Sequence, residues 1–467
     1  MSDIGSEAKI EQLIASHPSH GLENRPPRKI VKRTNLPLFI MLIVVLCIGL
    51  IILYSVSSPI GYAEEADSLF YVKKQIRFTA IGLTLALILN CIDPIKVLFK
   101  RYLLLCLVSG GLALVLAAVT LVAGRQYNGA RRWFMIAGFQ FQPSELIKVL
   151  LVISFAAYRQ YIIDIRKKGK LKAKSKRGQV FMDTMFDFII PVMGAVVVDI
   201  LILAEPHGSC AMIIAGVIVI CALTSGINHR SWIIGISIML GVAVVFGASA
   251  YAIMPEETFT KVEEKVMGNF SHVFKRIAIF NQDETVGEKQ LTKDDTRQID
   301  NAHYALGSGG LWGVGMGESR SKYNYISEAQ NDYIYSVFVE ETGFVGGMFL
   351  IIVYMIFLAM CMSVIWHARN VYYRVVASGC TAIVFIEAFM NIAVELQIIP
   401  STGVTLPFVS YGGSAQIFLL VAVGFILGCS RYGSYLPAEE PEEEPIEEIE
   451  EVAEVAAVSQ AAEGVTE

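Results

Sequence analysis

The chain has 467 residues, of which 54% are hydrophobic and only 17% charged, well under the roughly 25% usual in soluble domains. A water-soluble globule cannot hide that much apolar surface, so the composition excludes one and points to a bilayer as solvent. The formal net charge of −5 belongs to an acidic tail, without which the chain is mildly basic.

In chain order, residues 1–35 are polar and carry Arg25, Arg28, Lys29, Lys32 and Arg33. No cleavable signal peptide is expected, because the first apolar run, from about Leu36, is long enough to span. A helix needs about 20 apolar residues to cross the hydrocarbon. Ten stretches qualify: 36–58, 76–95, 102–123, 144–163, 183–204, 208–225, 231–253, 343–366, 375–397 and 412–430. The predicted fold is an all-α polytopic membrane protein of about ten transmembrane helices, with a membrane domain over 36–431.

An even number of spans puts both termini on one side. Lys96, Lys100 and Arg101, the run from Arg166 to Arg177, Arg230, Arg369, Arg374 and Arg431 fall on that same side. The excess of cations marks it as cytoplasmic. The run 166–177 is expected to act as a retention signal, with contact to anionic lipid or a partner as the alternative.

The opposite side carries 59–71, 124–142, the turn 205–209, a large extracytoplasmic loop 254–342 between the seventh and eighth helices, and 400–413. Phe270, Val273, Phe274, Ile277 and Phe280 recur at helical spacing. They predict an amphipathic helix lying on the membrane surface or packed on other loops. No internal repeat is visible, which weakens a transporter built from inverted halves.

Residues 432–467 hold a dense glutamate cluster from Glu439 to Glu451 and no aromatic after Tyr435; they predict a disordered cytoplasmic tail. The eight cysteines, Cys47, Cys91, Cys106, Cys210, Cys221, Cys361, Cys380 and Cys429, lie almost all in apolar runs without a CxxC pair. They read as helix-packing residues, not as a disulfide framework or zinc site.

Four blocks on the loop side carry chemistry. The first is Asn128-Gly-Ala-Arg-Arg-Trp133 with Gln142-Pro-Ser-Glu-Leu-Ile-Lys148. Pro143 and Ser144 open a helix, which sets Glu145 and Lys148 one turn apart at its outer end. Lys148 needs a partner or a wet cavity there. It either pairs with Glu145 or joins Arg132 in a cationic cradle for a phosphate-bearing lipid.

The second block, from Gly307 to Gly317, is too rich in glycine for a regular helix. It lacks the preceding strand and following Lys-Ser/Thr of a nucleotide loop, so a tight structural turn is expected. The third runs from Ile326 to Tyr335 and on to Glu340, Glu341 and Gly343. Asp332, just before an apolar run, is either a helix cap or a general base where a membrane substrate meets water. The fourth, from Pro400 to Ser414, holds two prolines and three glycines between Pro400 and Gly413. It predicts a re-entrant segment lining a cavity.

In this order the blocks resemble the SEDS family (shape, elongation, division and sporulation), which includes FtsW, RodA and SpoVE. The likeness runs from about Thr34 to Arg431. Glu205-Pro206 is more similar to the division and sporulation branch. Departures from the family's usual residues occur at Ser327, Gln330-Asn331, Thr342 and His207.

The resemblance implies polymerisation of peptidoglycan glycan strands from lipid II on the outer face of the bacterial cytoplasmic membrane. By it, Asp332 matches an essential loop carboxylate, Glu328 a neighbouring acidic position, and Arg132 and Lys148 important basic ones. Glu145 and Ser410 complete the expected substrate-binding set. The expected chemistry is attack of a sugar 4-hydroxyl on an anomeric carbon, with Asp332 as base and inversion at the centre. No cofactor is demanded; a divalent cation at the diphosphate is compatible.

The implied partners are lipid II, a class B penicillin-binding protein supplying the transpeptidase, and other division or sporulation membrane proteins, with no nucleic acid. The rival readings are a lipid II flippase, using Asp199, Glu387 and Glu395 as a polar path, and a non-catalytic scaffold.

Overall fold

The computed structural model describes residues 34–93, 101–127, 130–136, 139–205, 207–253, 276–281, 285–286, 289–290, 293–323, 326 and 328–433. Each of the ten predicted spans falls on a helix. They are α1 Leu36–Glu65, α2 Phe70–Cys91, α3 Tyr102–Ala123, α4 Pro143–Lys167, α5 Lys176–Ala204, α6 Gly208–Thr224 and α7 His229–Ile253. After the loop helix α8, Lys293–Ser308, come α9 Ile334–Trp366, α10 Val371–Glu395 and α11 Gly413–Gly433.

Seven of these (α1, α3, α4, α5, α9, α10 and α11) are long and apolar enough by themselves to cross a membrane. α6 and the apolar part of α7 are shorter, and α2 starts with Lys73, Lys74 and Arg77. The chain is a helical polytopic membrane protein.

Helix ends differ from the expected spans where hydropathy and helicity part company. α1 starts where Asn35 caps the Leu38 amide at 3.1 Å. It then passes through Pro59 and stops at Ala66, in the left-handed region. Pro59 removes one donor, a loss that a helix extended by packing survives. α2 begins six residues before its apolar stretch, because lysine and arginine lower hydropathy but favour helix.

α10 is the central strut, packed on α4, α6, α9 and α11, and buried along most of its length. At the end of the bundle that holds the basic run 166–177, a π-helical turn, Met185–Ile189, interrupts α5. It brings Asp187 to Arg159 at 2.6 Å and to Arg166 at 2.9 Å.

Two features were not expected. Residues 124–142 form a small antiparallel meander, β1 Arg125–Tyr127, β2 Ala130–Ile136 and β3 Phe139–Phe141, in the order β1-β2-β3. The fold is otherwise helical, as expected, and strands of three to seven residues leave little alternation to read. A second pair, Thr285–Val286 with Lys289–Gln290, forms within the large loop.

The other feature is the start of α9, nine residues ahead of the predicted span 343–366. The backbone breaks at Gly343 (φ 72°, ψ −174°), and the glycine-rich block repairs the break. Phe344 and Val345 donate to the Gly310 and Leu311 carbonyls at 2.9 and 3.2 Å, while Val314 and Gly315 donate to Glu340 and Glu341 at 3.0 Å each. Side chains reinforce this seam. Glu340 accepts from Ser319 Oγ at 2.5 Å, and Lys322 pairs with Glu341 at 2.8 Å, both nearly inaccessible. The block is thus a structural turn, as its composition suggests.

Gly313 shows how tight the seam is. A Cβ there would lie 2.1 Å from the Glu341 carbonyl oxygen, at φ +78°. The left-handed backbone alone costs a substituted residue about 1–2 kcal/mol. Gly313→Ala is therefore expected to lower the thermal unfolding midpoint of the detergent-solubilised protein, whereas an alanine at Gly111, with open space around it, leaves it unchanged.

The sequence-predicted amphipathic helix is only partly within the described residues. Residues 276–281 are helical with Ile277 and Phe280 exposed, while Phe270, Val273 and Phe274 lie outside them. So do the terminal segments 1–33 and 434–467.

Candidate active site

At the loop end of the bundle lies a cleft of about 1180 Å³. Its walls come from the β-meander, the first turns of α2, α4 and α6, the segment 400–413, Arg276 and the turn before α9. Arg132, Glu145, Lys148, Glu328 and Asp332, five of the six candidates, all face it.

Asp332 sits in a turn set by Glu328, whose carbonyl accepts from the Asn331 and Asp332 amides at 2.9 and 3.3 Å. Glu328 takes an uncommon left-handed conformation (φ 61°) to make this turn, and its carboxylate accepts from Asn331 Nδ2 at 2.6 Å. Burial, with the Glu328 charge adding to it, pushes the Asp332 carboxyl up to about 6, against the pull of Arg276. Two effects oppose and desolvation wins, so the group titrates within reach of neutral pH.

Gly403, at φ +68°, is where acid and cation converge. A Cβ built on it would lie 3.5 Å from Asp332 Oδ2 and 3.7 Å from Arg276 Nη2. Arg276 also donates to the Thr402 carbonyl at 3.1 Å, and Ser209 Oγ donates to that same oxygen at 2.5 Å. The re-entrant segment is thereby pinned beside the carboxylate.

Lys148 lines the cleft between two acids. It is 2% exposed and donates to Glu145 Oε2 at 2.8 Å and to Glu387 Oε1. A lysine has three N–H donors, so these leave one for a ligand. Its charge is met by two carboxylates, and the triad is formally −1. The Glu145–Lys148 pair is real, and Glu387 is a third member that sequence spacing could not supply.

The cleft's cationic character comes instead from Lys74, Arg77, Arg125, Arg132 and Arg276. Of these only Arg132 was expected. Lys74 and Arg77 had a legible signal: they stand on the side where the distribution of charge predicts few cations, and cations kept there need a reason. His207 also lines the cleft. Burial, aided by Arg132, Lys148 and Arg276, pushes it down to about 3, so it is neutral across the physiological range. Burial pushes nearby Glu205 up to about 8, against Arg132.

Ser410, the sixth candidate, is not among the residues that line the cleft. It is 3% exposed; its hydroxyl accepts from the Leu406 amide at 2.9 Å and its carbonyl from Gln75 Nε2 at 3.1 Å. Both bonds stiffen the re-entrant segment, and Tyr411, Gly412, Gly413 and Ser414 line the wall instead. Among the described residues no group of three or more His, Cys, Asp or Glu side chains is arranged to hold a metal ion.

A half-buried carboxylate in a cleft lined by cations can take a proton from a nucleophile, while the cations hold an anionic leaving group. Comparisons with known proteins bear on the family and the fold. The profile of the FtsW/RodA/SpoVE cell cycle proteins matches residues 35–435. Stage V sporulation protein E of Bacillus subtilis is 28% identical over 86% of this chain and 98% of its own length. A protein of Trichlorobacter lovleyi named probable peptidoglycan glycosyltransferase FtsW is 30% identical over 85% of this chain and 93% of its own.

Among solved structures, the rod shape determining protein RodA of Thermus thermophilus aligns with a TM-score of 0.54 at 22% identity, over 85% of this chain and 97% of that one. A chain of a peptidoglycan synthase complex aligns with a TM-score of 0.59 at 21% identity, over 85% and 98%. These two likenesses establish the shared fold.

Proposed function

The chain belongs to the FtsW/RodA/SpoVE family of cell cycle proteins, and from that premise we propose that it is a peptidoglycan glycosyltransferase. It polymerises lipid II into glycan strands on the outer face of the bacterial cytoplasmic membrane, during division or sporulation, with both termini in the cytoplasm. The observation that carries this reading is Asp332, a carboxyl raised to about 6 at the edge of a cleft rimmed by five cations.

In the proposed reaction the acceptor's 4-hydroxyl lies against Asp332, which takes its proton as the oxygen attacks the donor's anomeric carbon. The bond to the polyprenyl diphosphate breaks on the opposite face, so one displacement inverts the centre. Arg132 and Arg276, with Lys74, Arg77 and Arg125, offset the negative charge that gathers on the leaving diphosphate. Lys148 contributes its third N–H, and Glu145 and Glu387 fix that ammonium in place. Glu328 shapes the turn and raises the base towards the working pH.

Arg276 bridges the two halves of the site. Arg276→Ala is expected to cut kcat by about 10- to 100-fold while the enzyme still saturates with lipid II, because charge stabilisation is felt mostly in the transition state. Steady-state kinetics check this; a change confined to KM contradicts it.

The name of the matched synthase complex, which couples polymerisation to crosslinking, supports a class B penicillin-binding protein as partner. The flippase reading finds less support. Glu387 is committed to Lys148 and Glu395 to backbone amides of α9, so two of the three acids of the polar path are already engaged. Purified protein, alone and with a candidate partner, should make glycan polymer from lipid II in detergent micelles, where there is no membrane to cross. A flippase or a scaffold makes none.

A further inference from the structure

Asp332 lies in a turn, yet a general base has to be held within a fraction of an ångström of its proton. What holds it comes from α10. Asn391 and Glu395 are one helical turn apart at the end of that helix, hence on one face, and are 1% and 2% exposed. Asn391 Nδ2 donates at 2.9 Å to the carbonyl of Asp332 and at 2.9 Å to that of Val404. Both amide hydrogens are spent, one on each of the two segments that form the site.

The reversed amide would set its oxygen against two carbonyl oxygens, so the orientation is fixed by its surroundings. Asn391 Oδ1, in contrast, is buried with no hydrogen-bond partner among the described residues. An unmet acceptor is costly, and the residue is kept for its donors.

Glu395 acts three residues further on. The α9 N-cap residue, Tyr333, makes no side-chain cap bond. The Glu395 carboxylate takes that place from another helix, accepting from the Tyr335 and Ser336 amides at 3.3 and 2.5 Å and from Ser336 Oγ at 2.6 Å. The base is therefore gripped at its own carbonyl and at the helix start that follows it. The Tyr411 amide donates to the Gln330 carbonyl at 2.9 Å, which closes the ring between turn and re-entrant segment.

We infer that Asn391 and Glu395 are positioning residues for the glycosyl transfer: they clamp the Asp332 turn onto the 400–413 segment and so set the approach of the base to the acceptor hydroxyl. This rests on the reading of Asp332 as the base. Neither residue lines the cleft, so neither touches substrate, and the signature is a fall in kcat with KM kept. A loosened turn also admits water to Asp332. The acid limb, set by burial of that carboxyl with Glu328 and Arg276 facing it, then moves to lower pH.

The test uses full-length protein in detergent with lipid II, comparing wild type, Asp332→Asn, Asn391→Leu and Glu395→Gln. Leucine keeps the approximate size of Asn391 and removes both donors. The expected result is a loss of about 100-fold in kcat for Asn391→Leu, as for a misplaced catalytic group. KM should change by less than about threefold, with the acid limb lowered from about 6.

Glu395→Gln, which keeps an acceptor, should lose about tenfold in kcat with the same sign of pH shift. It stands as the reading variant if Asn391→Leu does not fold. Wild-type kcat and acid limb in whichever variant folds, beside an inactive Asp332→Asn, overturn the clamp and leave the base. An active Asp332→Asn overturns both.

Discussion

Replacing Asp332 by asparagine is expected to leave lipid II bound and glycan polymerisation reduced by about 10²- to 10⁴-fold, the usual contribution of a positioned base. Asparagine has nearly the shape of aspartate but cannot accept a proton from the acceptor hydroxyl at any pH. The fold should survive. Among the described residues the turn is held through the Asp332 backbone: the carbonyl of Asp332 takes the bond from Asn391, and its amide donates to Glu328. Removing a desolvated carboxyl, whose ionised form burial disfavours, should if anything steady the protein. Equal lipid II retention with no product in the variant, measured side by side with wild type, is the outcome that separates chemistry from binding.

The second large effect concerns Lys148. Lys148→Met leaves Glu145 and Glu387 facing each other with no cation between them, in a site where all three groups are largely withdrawn from solvent. Breaking a buried pair by removing one partner costs about 3–5 kcal/mol, enough to empty the folded state of many proteins. Adding Glu387→Gln to that variant removes one of the stranded charges. The double variant should therefore recover most of the lost thermal stability.

It should not recover activity, because the N–H that Lys148 offers to the diphosphate is still missing. Stability and turnover measured on the same preparations decide the matter. If the double variant regains both, Lys148 is only a structural partner to its two acids, and the cationic end of the cleft belongs to the arginines and Lys74 alone.

How far the sequence could be read differs from element to element. The apolar runs name the helices because length and hydropathy act locally, and the positions of all ten followed from them. The start of α9 did not, because Glu340, Glu341 and Thr342 cut its apolar beginning, Ile334–Val339, off from the long run, and the start is held by distant partners, Lys322 on Glu341 and Glu395 on the helix start. Asp332 was legible as a carboxylate at the mouth of an apolar run, and Arg132 as a cation beside a loop.

Glu387 was visible as a costly acid inside a span, yet its pairing with Lys148 joins residues 239 positions apart. Only packing of α4 on α10 creates that contact. Ser410, counted in the expected substrate-binding set, has its hydroxyl turned towards the loop's own Leu406 amide, a contact that only the folded loop creates. Arg276 lies within the stretch whose helical spacing predicts an amphipathic helix, but that spacing gave no local sign of its place at the site.

The account's central claim is that the ionised Asp332 carboxylate does the proton transfer, and the pH dependence of polymerisation tests it most directly. A base must be deprotonated to act, so the rate should be full above the raised value of about 6 and fall away as pH drops through it. Glu328 contributes to that elevation, so Glu328→Gln should move the acid limb to lower pH while the plateau persists. A wild-type rate that stays level well below that value, or a limb indifferent to the charge at Glu328, would contradict the assignment.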